Sequence, residues 1–339
     1  MSNPIRVAVL MGGASAERKV SLSTGKQILQ SLDKSKYIVH ALDTLTGDAF
    51  LPQVVLQEAG VKQLTAGGAE ITTLGGIIQA GPSERPDVVF IALHGPGGED
   101  GTVQGLLEVL GIPYTGSGVL ASALAMDKAM SKRVLMAEGV KMPAGVVVHR
   151  SKPASAQDMG IGTSLPLPVI VKPCRQGSTF GVTIVNNIED LDLALETAFV
   201  YDDTVLVEQM VFGTEITVPI LGNMDLEVLP IVEIVPKSGF YDFEAKYTPG
   251  ATDEIVPARI PATCTAEANR IAVRCHEVLG CRGMSRTDMI VTSDGEIYTL
   301  EVNTIPGMTP TSLLPRAAEA AGIPFSALLD RLIGYALEG

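Results

Sequence analysis

The most informative stretch of this 339-residue chain is RTDMIVTSDGEIYTLEVN, at residues 286–303. Two runs rich in β-branched residues flank Asp294-Gly295, a dipeptide that predicts a β-hairpin with a two-residue turn. With that turn, Ser293 pairs with Glu296, and counting outward places Asp288 opposite Glu301. A three-residue turn would shift the register by one residue and remove this alignment.

The same register places Arg286 opposite Asn303, so four polar side chains share one face of the hairpin with facing Cβ atoms about 5 Å apart. Opposed carboxylates repel each other, and a hard cation removes the conflict. Carboxylate and amide oxygens are ligands that Mg²⁺ accepts beside substrate phosphates. The alternative is a solvated hairpin face with chance acids. Apolar flanks and the unusual polar loop at 304–309 favour the metal site.

Composition restricts the class of protein. The length suits two or three domains, and 46% hydrophobic residues with a mean hydropathy of +0.29 indicate a globular chain. A net charge of −13 argues against nucleic acid or an anionic membrane as the main partner, but leaves ATP open because phosphate sites are local. The four cysteines lack CxxC spacing, and no apolar run reaches the ~20 residues of a membrane span. The apolar N-terminal stretch is typical of a first strand. We therefore expect a cytoplasmic protein without membrane insertion.

Strands and helices alternate in the first third of the chain. Apolar runs at 5–11 and 88–93 predict buried strands, and helical spacing at 21–32 and 102–110 predicts helices, so a parallel sheet flanked by helices is expected. A helix at 121–137 then leads into a strand-rich α+β pair of lobes. Residues 238–256 carry Gly, Pro and charges without periodicity and predict a long functional loop.

Lys172 is the first candidate for phosphate binding. The chain has neither a Walker A motif nor a GxGxxG turn, so nucleotide would have to bind differently. Lys172 ends a predicted strand, and the turn after it holds Gly177 and Gly181, which let the backbone approach a phosphate, with the hydroxyls of Ser178 and Thr179 between them. Most such turns are plain hairpin loops. The metal site predicted on the hairpin at 286–303 favours phosphate binding for this turn.

Further acids and one histidine stand at predicted strand ends. Glu208 and Glu215 suit an adenine amine and ribose hydroxyls, although capping or surface acids fit these positions equally well. His94 opens a Gly-rich loop that could bind an anion or substrate, with a structural histidine as the commoner alternative. Glu17 suits an ammonium group, and a helix-start acid is its ordinary explanation.

Several signatures in order resemble the D-alanine–D-alanine ligase family of the ATP-grasp superfamily, over nearly the whole chain. They stand at 12–18, 94–101, 114–118, 126–128, 172–181, 244–247, 286–288 and 301–313. The resemblance implies a three-domain ATP-grasp fold of α/β and α+β class: an N-terminal Rossmann-like substrate domain at 1–120, a central lobe at 121–212 and a C-terminal lobe at 213–339, with the 238–256 loop as a lid. It also implies a homodimer.

The resemblance further implies a role for each candidate in joining two D-alanines through an acyl phosphate, for peptidoglycan precursors. Nucleotide binding would fall to Lys128, Lys172, Ser178, Thr179, Glu208, Gln209, Glu215 and Lys246. Two Mg²⁺ or Mn²⁺ would be held by Asp288, Glu301 and Asn303. The substrates would contact Glu17, Ser178, Tyr247, His94, Arg286, Gly307, Ser312 and Leu313. Of these, Arg286 and the Gly307 amide would stabilise the oxyanion. Ser312 and Leu313 would bind the carboxylate of the second D-alanine.

Two departures from the family pattern stand out. Gln209 occupies a position where the family often has lysine, which leaves the preference for the nucleotide base open. Thr179-Phe180 replaces smaller or aliphatic residues in the phosphate loop. The alternatives are an ATP-grasp ligase for D-alanine and D-lactate or another carboxylate–amine pair, and a non-enzymatic ligand sensor. Tyr247 disfavours the D-lactate ligase, and the joint presence of Lys172, Asp288 and Glu301 disfavours the sensor.

Overall fold

The computed structural model describes residues 4–44, 57–58, 60–66, 69–71, 73–239, 245–246, 248 and 250–338. Its first layer is the predicted parallel sheet, in which β1 pairs with β2 on one side and with β5 on the other. The strands are β1 (Ile5–Met11), β2 (Tyr37–Asp43), the small hairpin β3 (Leu64–Ala66) and β4 (Ala69–Ile71), and β5 (Val88–Ile91); the helices are α1 (Arg18–Ser31), α2 (Leu74–Gln79) and α3 (Thr102–Leu110).

Strand β2 was not predicted, because His40 and Asp43 interrupt its apolar pattern. Both side chains are nonetheless buried. The His40 ring lies 2.8 Å from the Lys62 carbonyl, and the Arg18 guanidinium forms an ion pair with Asp43 at 2.6 Å. Tertiary partners that are distant in sequence therefore make this strand possible.

The predicted single helix at 121–137 is wrong, because two helices occupy that stretch. Helix α4 (Val119–Met126) ends at Asp127, and α5 (Lys128–Ala137) begins directly after it. The Asp127 carboxylate accepts hydrogen bonds from the backbone N–H groups of Ala129 and Met130, which caps α5 and starts a new helix axis.

The central lobe holds an antiparallel sheet of four strands in the order β6-β9-β7-β8. The strands predicted to end near Lys172 and Glu208 are confirmed as β7 and β9, which pair directly. The elements are β6 (Gly145–His149), β7 (Val169–Pro173), β8 (Thr183–Val185), α6 (Leu191–Phe199) and β9 (Thr204–Gln209), with a 3₁₀ turn at Ile188–Asp190 before α6.

The C-terminal lobe holds a second antiparallel sheet, in the order β13-β12-β10-β14-β15, with β11 beside β10. Helix α7 packs on one face, and the other face turns toward the central lobe. The elements are β10 (Thr214–Gly222), β11 (Glu227–Val228), β12 (Val232–Pro236), β13 (Thr252–Ile255), α7 (Ala262–Leu279), β14 (Gly283–Val291) and β15 (Ile297–Asn303).

The turn predicted for the β14–β15 hairpin is wrong, although the pairing predicted beyond it is confirmed. The Thr292 N–H donates to the Glu296 carbonyl, so residues 293–295 form a three-residue turn. Near this turn Met289 pairs with Thr299. One step further Asp288 pairs with Glu301, because Leu300 is the extra residue of a β-bulge. The bulge cancels the shift that the longer turn introduces.

Of the last two helices, α9 (Phe325–Leu337) packs back against β5 of the N-terminal sheet, whereas α8 (Leu313–Ala320) contacts α9 and β10. Leu328, Leu332 and Ile333 share one buried cluster with Phe90 of β5. In the described part of the chain, no single helix has the length and hydropathy to cross a membrane; α8 and α9 satisfy that test only when taken together, across a 106° bend. The division into three domains stays a prediction.

Candidate active site

Two cavities meet in the space between the lobes. The larger, about 460 Å³, lies between the central and C-terminal sheets. The smaller, about 100 Å³, lies between the N-terminal loops and the end of β15. Five residues line both cavities: Lys128, Gly177, Ser178, Lys246 and Glu301. A group bound in one cavity can therefore reach a group bound in the other at this junction.

Glu208 lies at the inner wall of the larger cavity, where β9 ends, and only 3% of it is exposed. Two ammonium groups reach its carboxylate, from Lys172 at the end of β7 and from Lys132 at 2.5 Å. Burial alone would raise the pKa of Glu208, but the two lysines outweigh burial and lower it. Lys132 was missed by the sequence analysis; its signal is the helical spacing of four residues from Lys128.

The remaining candidates for nucleotide binding line the same cavity. Gln209 follows Glu208 on β9, and Glu215 stands on β10 across the cleft. Burial, and then the charge of Asp288, raise the pKa of Glu215 to about 7. Apolar side chains from both sheets complete the wall, which suits a flat heterocyclic ring, and they include Ile170, Met210, Ile234, Ile290 and Leu300.

The 174–182 loop joins β7 to β8 and covers the junction. Ser178 and Thr179 both have left-handed backbone angles, with φ of 50° and 65°, which are uncommon for residues with side chains. The Lys128 ammonium, at the start of α5, donates to the Gln176 carbonyl at 2.8 Å. The predicted phosphate-binding residues Lys128, Lys172, Ser178 and Thr179 thus line one end of the larger cavity.

Glu17 projects from the turn after β1 into the smaller cavity and is 4% exposed. Its Oε1 accepts a hydrogen bond from the Ser178 hydroxyl, while its buried Oε2 accepts none from any described residue. A Cβ at Gly95 or Gly177 would stand 2.6 or 2.7 Å from Oε2, so only glycine leaves this oxygen its space. Burial, followed by the charge of Glu99, raises the pKa of Glu17.

His94 supports this cavity from behind. Its Nε2 lies 3.1 Å from the Thr24 hydroxyl, and its Nδ1 lies 3.9 Å from the Glu99 carboxylate. Glu99 accepts a hydrogen bond from the backbone N–H of Gly95 at 2.6 Å, which ties the loop that the sequence analysis singled out. Glu99 was not predicted as a site residue, although it stands in that loop and lines the cavity.

Asp288 is the centre of the polar face of the hairpin. Arg286 donates two hydrogen bonds of 3.0 Å to its carboxylate, and the Asn303 amide donates a third at 3.0 Å. The Thr217 hydroxyl on β10 donates a fourth. Beside it, Glu301 forms an ion pair with Lys128 at 3.2 Å. Burial would raise the pKa of Glu301, but Lys128, and then Lys246 and Lys172, outweigh it and lower the pKa.

The donor set on this face fits a hard divalent cation. Asp288 and Glu301 face each other across the hairpin with Asn303 beside them, which gives carboxylate and amide oxygens on one surface. Among the described residues, no group of three or more His, Cys, Asp or Glu side chains is placed to hold a metal ion, so the amide of Asn303 would have to contribute. A cation here would replace Arg286 and Lys128 as partners of the two carboxylates.

The loop after β15 closes the smaller cavity. The Ser312 hydroxyl accepts a hydrogen bond from the Thr309 N–H at 2.9 Å, and Ser312 directly precedes α8, which begins at Leu313. A Cβ at Gly307 would stand 2.8 Å from the Ser312 hydroxyl, so the loop backbone approaches this side chain closely. Lys246 lines both cavities. The predicted contact Tyr247 lies outside the described residues.

Two antiparallel lobes that enclose a cavity with lysines, a glycine-containing loop and a carboxylate hairpin define an enzyme of the ATP-grasp class. Family profiles described as D-ala D-ala ligase N-terminus and D-ala D-ala ligase C-terminus match residues 6–117 and 134–334. The chain therefore belongs to the D-alanine–D-alanine ligase family.

Individual relatives agree over the full length. The chain is 47% identical to the D-alanine–D-alanine ligase of Syntrophobacter fumaroxidans, over 98% of both chains. Among solved structures, it resembles the D-alanine–D-alanine ligase of Bacillus anthracis complexed with ATP, with a TM-score of 0.76, 34% identity and coverage of 98% and 97%. It also resembles the VanG D-Ala:D-Ser ligase of Enterococcus faecalis, with a TM-score of 0.81, 33% identity and coverage of 98% and 100%.

Proposed function

We propose that this protein joins two D-alanine molecules into D-alanyl-D-alanine at the expense of ATP, and so supplies a peptidoglycan precursor in the cytoplasm. The observation that carries the proposal is the shared wall of the two cavities at Lys128, Ser178 and Glu301. A nucleotide in the larger cavity would direct its terminal phosphate toward an amino acid in the smaller one. Such proximity is what a phosphoryl transfer between them needs.

ATP would lie between the two antiparallel sheets. We assign the adenine to the end of β9, near Glu208 and Gln209, and the ribose to Glu215. The phosphates would replace carboxylates as partners of Lys128 and Lys172, with Lys246, Ser178 and Thr179 nearby. The ion pairs that these two lysines form, with Glu301 and Glu208, support the assignment because they show cations already placed along the cavity.

Two Mg²⁺ or Mn²⁺ ions would be held by Asp288, Glu301 and Asn303. When bound, such ions neutralise the negative charge of the phosphates. Arg286 would be released from Asp288 by the metal and become available to the substrate. Two observations support this assignment: Arg286 donates two hydrogen bonds to Asp288, and it also lines the smaller cavity.

The first D-alanine would place its ammonium against Glu17, whose Oε2 accepts no hydrogen bond from a described residue. Ser178 orients that carboxylate, and His94 supports the surrounding loop. The second D-alanine would place its carboxylate at Ser312 and the start of α8, at Leu313, where N–H groups of the first turn point outward. Tyr247 is proposed to complete the first subsite by family resemblance.

The chemistry follows from charge. A carboxylate is a poor acyl donor, and transfer of the γ-phosphoryl group of ATP to it gives an acyl phosphate. The amine of the second D-alanine then attacks the carbonyl carbon, and phosphate leaves. Arg286 and the Gly307 N–H would stabilise the oxyanion of that step, where one donor is typically worth about 3 kcal/mol. Exclusion of water from the small cavity protects the acyl phosphate from hydrolysis.

Phosphate release tests the proposal. ATP and Mg²⁺ are supplied with D-alanine, L-alanine, D-alanine plus D-lactate, or D-alanine plus D-serine, and products are identified by mass. We expect release with D-alanine and formation of D-alanyl-D-alanine. D-Serine is included because the similar VanG protein is named a D-Ala:D-Ser ligase. If a mixed product forms in preference to D-alanyl-D-alanine, the second substrate is not D-alanine. If no phosphate is released with any pair of substrates, the proposed ligase activity is rejected.

A matched pair of variants separates the site from the hairpin that carries it. Glu301→Gln removes the charge at the junction, and we expect turnover to fall by at least 100-fold. Glu296→Gln removes an exposed carboxylate near the tip of the same hairpin, which pairs with Lys141, and should leave turnover within twofold. Equal losses in both variants would contradict the assignment. A homodimer stays a prediction, which sedimentation of the same samples would test.

A further inference from the structure

The short connection between α6 and β9 touches both ends of the 174–182 loop. Asp202 in this connection is buried, with 3% of its side chain exposed. Its carboxylate accepts hydrogen bonds from the Arg175 backbone N–H at 2.8 Å, from the Arg175 guanidinium and from the Thr204 N–H. Burial would raise the pKa of Asp202, but the hydrogen bonds from Arg175 and Thr204 outweigh burial and lower it. The first turn of the loop is thereby fixed to the central sheet.

Tyr201, the preceding residue, packs against the other end of the loop. Its ring centroid lies 6.1 Å from that of Phe180, with an angle of 37° between the rings. Gly181 lies beneath the same ring, since a Cβ there would stand 2.6 Å from Tyr201 Cδ2. Phe180 belongs to the Thr179-Phe180 departure from the family pattern, so this aromatic contact depends on a feature of this chain.

The loop needs support between these two ends. Ser178 and Thr179 are consecutive residues with positive φ. Each such residue costs on the order of 1 kcal/mol and persists only where the surroundings enforce it. The side chain of Ser178 also contacts Glu17 of the N-terminal domain. A loop held at one end only could relax to an unstrained conformation and turn its N–H groups away from the cavity.

We propose that Tyr201 and Asp202 are positioning residues, which hold the 174–182 loop in the backbone shape that binds nucleotide phosphates. The proposal rests on the proposed function, because it assumes that a nucleotide occupies the larger cavity. Neither side chain lines either cavity. They therefore act through the loop and not by contact with the ligand.

The test compares ligands that differ in phosphate number. Binding of adenosine, AMP and ADP, each with Mg²⁺, is measured by calorimetry for the unsubstituted protein and for Tyr201→Ala. We expect ADP to bind about tenfold more weakly to the variant, the scale expected when strained residues lose support. Adenosine should bind within twofold of the unsubstituted protein, because the base and ribose contacts lie on β9 and β10. Tyr201→Phe keeps the ring and should restore ADP binding.

Two further variants keep the test decisive. Gly181→Ala places a Cβ against the Tyr201 ring and also strains the backbone at a φ of 71°, so it should reproduce the selective loss from the loop side. Leu193→Ala, on α6 and 68% exposed, is the matched control and should change nothing. A uniform loss for all three ligands, or unchanged ADP binding in Tyr201→Ala, would overturn the positioning role. If the unsubstituted protein binds none of the three ligands, the proposed function itself fails, which is a distinct result.

Discussion

Glu208 shows how single residues prepare this site. One buried carboxylate is shared by two lysines from different elements, and their charges lower its pKa in spite of its burial. A buried charge that loses its partner costs several kcal/mol, whereas an exposed pair contributes little. The contribution of a lysine to the free energy of unfolding should therefore depend on how deeply its ion pair is buried.

Lys132→Met should lower the free energy of unfolding by about 3 kcal/mol, because Glu208 and the Pro143 carbonyl both lose a buried donor. Urea titration at pH 7 measures the change. Lys141→Met is the matched control, since Lys141 pairs with Glu296 on the surface and should contribute at most about 1 kcal/mol. Similar losses in both variants would show that depth does not decide the cost.

His276 makes stability depend on pH. The ring lies on α7 with 1% of the residue exposed, and burial lowers its pKa from 6.5 to about 4. Between these values the unfolded chain binds a proton that the folded protein does not, so stability falls as the pH drops from 6.5 toward 4. The loss attributable to this ring between pH 7 and pH 5 is about 2 kcal/mol.

Replacing the ring tests this assignment. In His276→Gln the part of the pH dependence that the ring causes should disappear, as measured by urea titration at pH 7 and pH 5. His149→Gln, at an exposed position, is the control and should keep the full dependence. An unchanged slope in His276→Gln would assign the acid sensitivity to other groups.

At the scale of elements, the β14–β15 hairpin separates what the sequence could predict from what it could not. The opposition of Asp288 and Glu301 was predicted and is confirmed. The turn was predicted wrongly, and the bulge at Leu300 offset that error. The missed signal is parity: Thr299 and Val302 are both buried although they are three positions apart, and residues at an odd spacing lie on opposite faces of a regular strand. Buried faces, rather than the turn, set the register.

An insertion and a deletion at the bulge should therefore behave differently. Deleting Leu300 leaves Met289 opposite Thr299 and brings Glu301 opposite Asp288 without a bulge, so kcat should stay within about tenfold. Inserting an alanine before Glu301 moves its side chain away from the face of the hairpin that carries Asp288. We then expect kcat to fall by about 1,000-fold. Phosphate release measures both, and circular dichroism checks folding. Loss of activity in the deletion alone would reject the parity argument.

Two other elements, the helix break at Asp127 and strand β2, were missed because contacts that the apolar pattern does not reveal determine them. Asp127 divides the helix predicted at 121–137, and only the hydrogen bonds it makes to Ala129 and Met130 reveal it as a cap. Strand β2 depends on partners far away in sequence. The described candidates for nucleotide and substrate binding line the two cavities, while Tyr247 lies outside the described residues and stays a prediction. Lys132 lies outside the family signatures, and Glu99 lies inside the signature at 94–101 but was given no role; the contacts of the two side chains, with Glu208 and with the Gly95 N–H, identified both.

At the scale of the whole molecule, the two ends of the chain depend on each other. Helix α9 packs against β5 and α1, so the N-terminal sheet buries one face against the last helix of the chain. The loop at Gly307 and Ser312, which we propose binds substrate, lies just before helices α8 and α9. The small cavity is thus built from both ends of the chain, and its shape depends on that contact.

Leu332→Ala should test this dependence. Leu332 is fully buried, and its truncation should cost about 2–5 kcal/mol through the cavity that it leaves. Hydrogen exchange should become faster in β1 and β5, more than 200 residues away in sequence. Leu337→Ala, 41% exposed on the same helix, is the control and should leave exchange unchanged. Faster exchange confined to α9 would contradict the coupling.

The ion pairs that line the larger cavity have a kinetic consequence. Lysines that already neutralise Glu208 and Glu301 present little positive field to an approaching anion, and the protein as a whole carries a charge of −13. Long-range electrostatics then oppose the arrival of a polyphosphate. The association rate of the nucleotide should accordingly rise with added salt over the range where the Debye length shrinks below the protein's radius. Capture relies on exchange of partners at close range rather than on attraction from a distance.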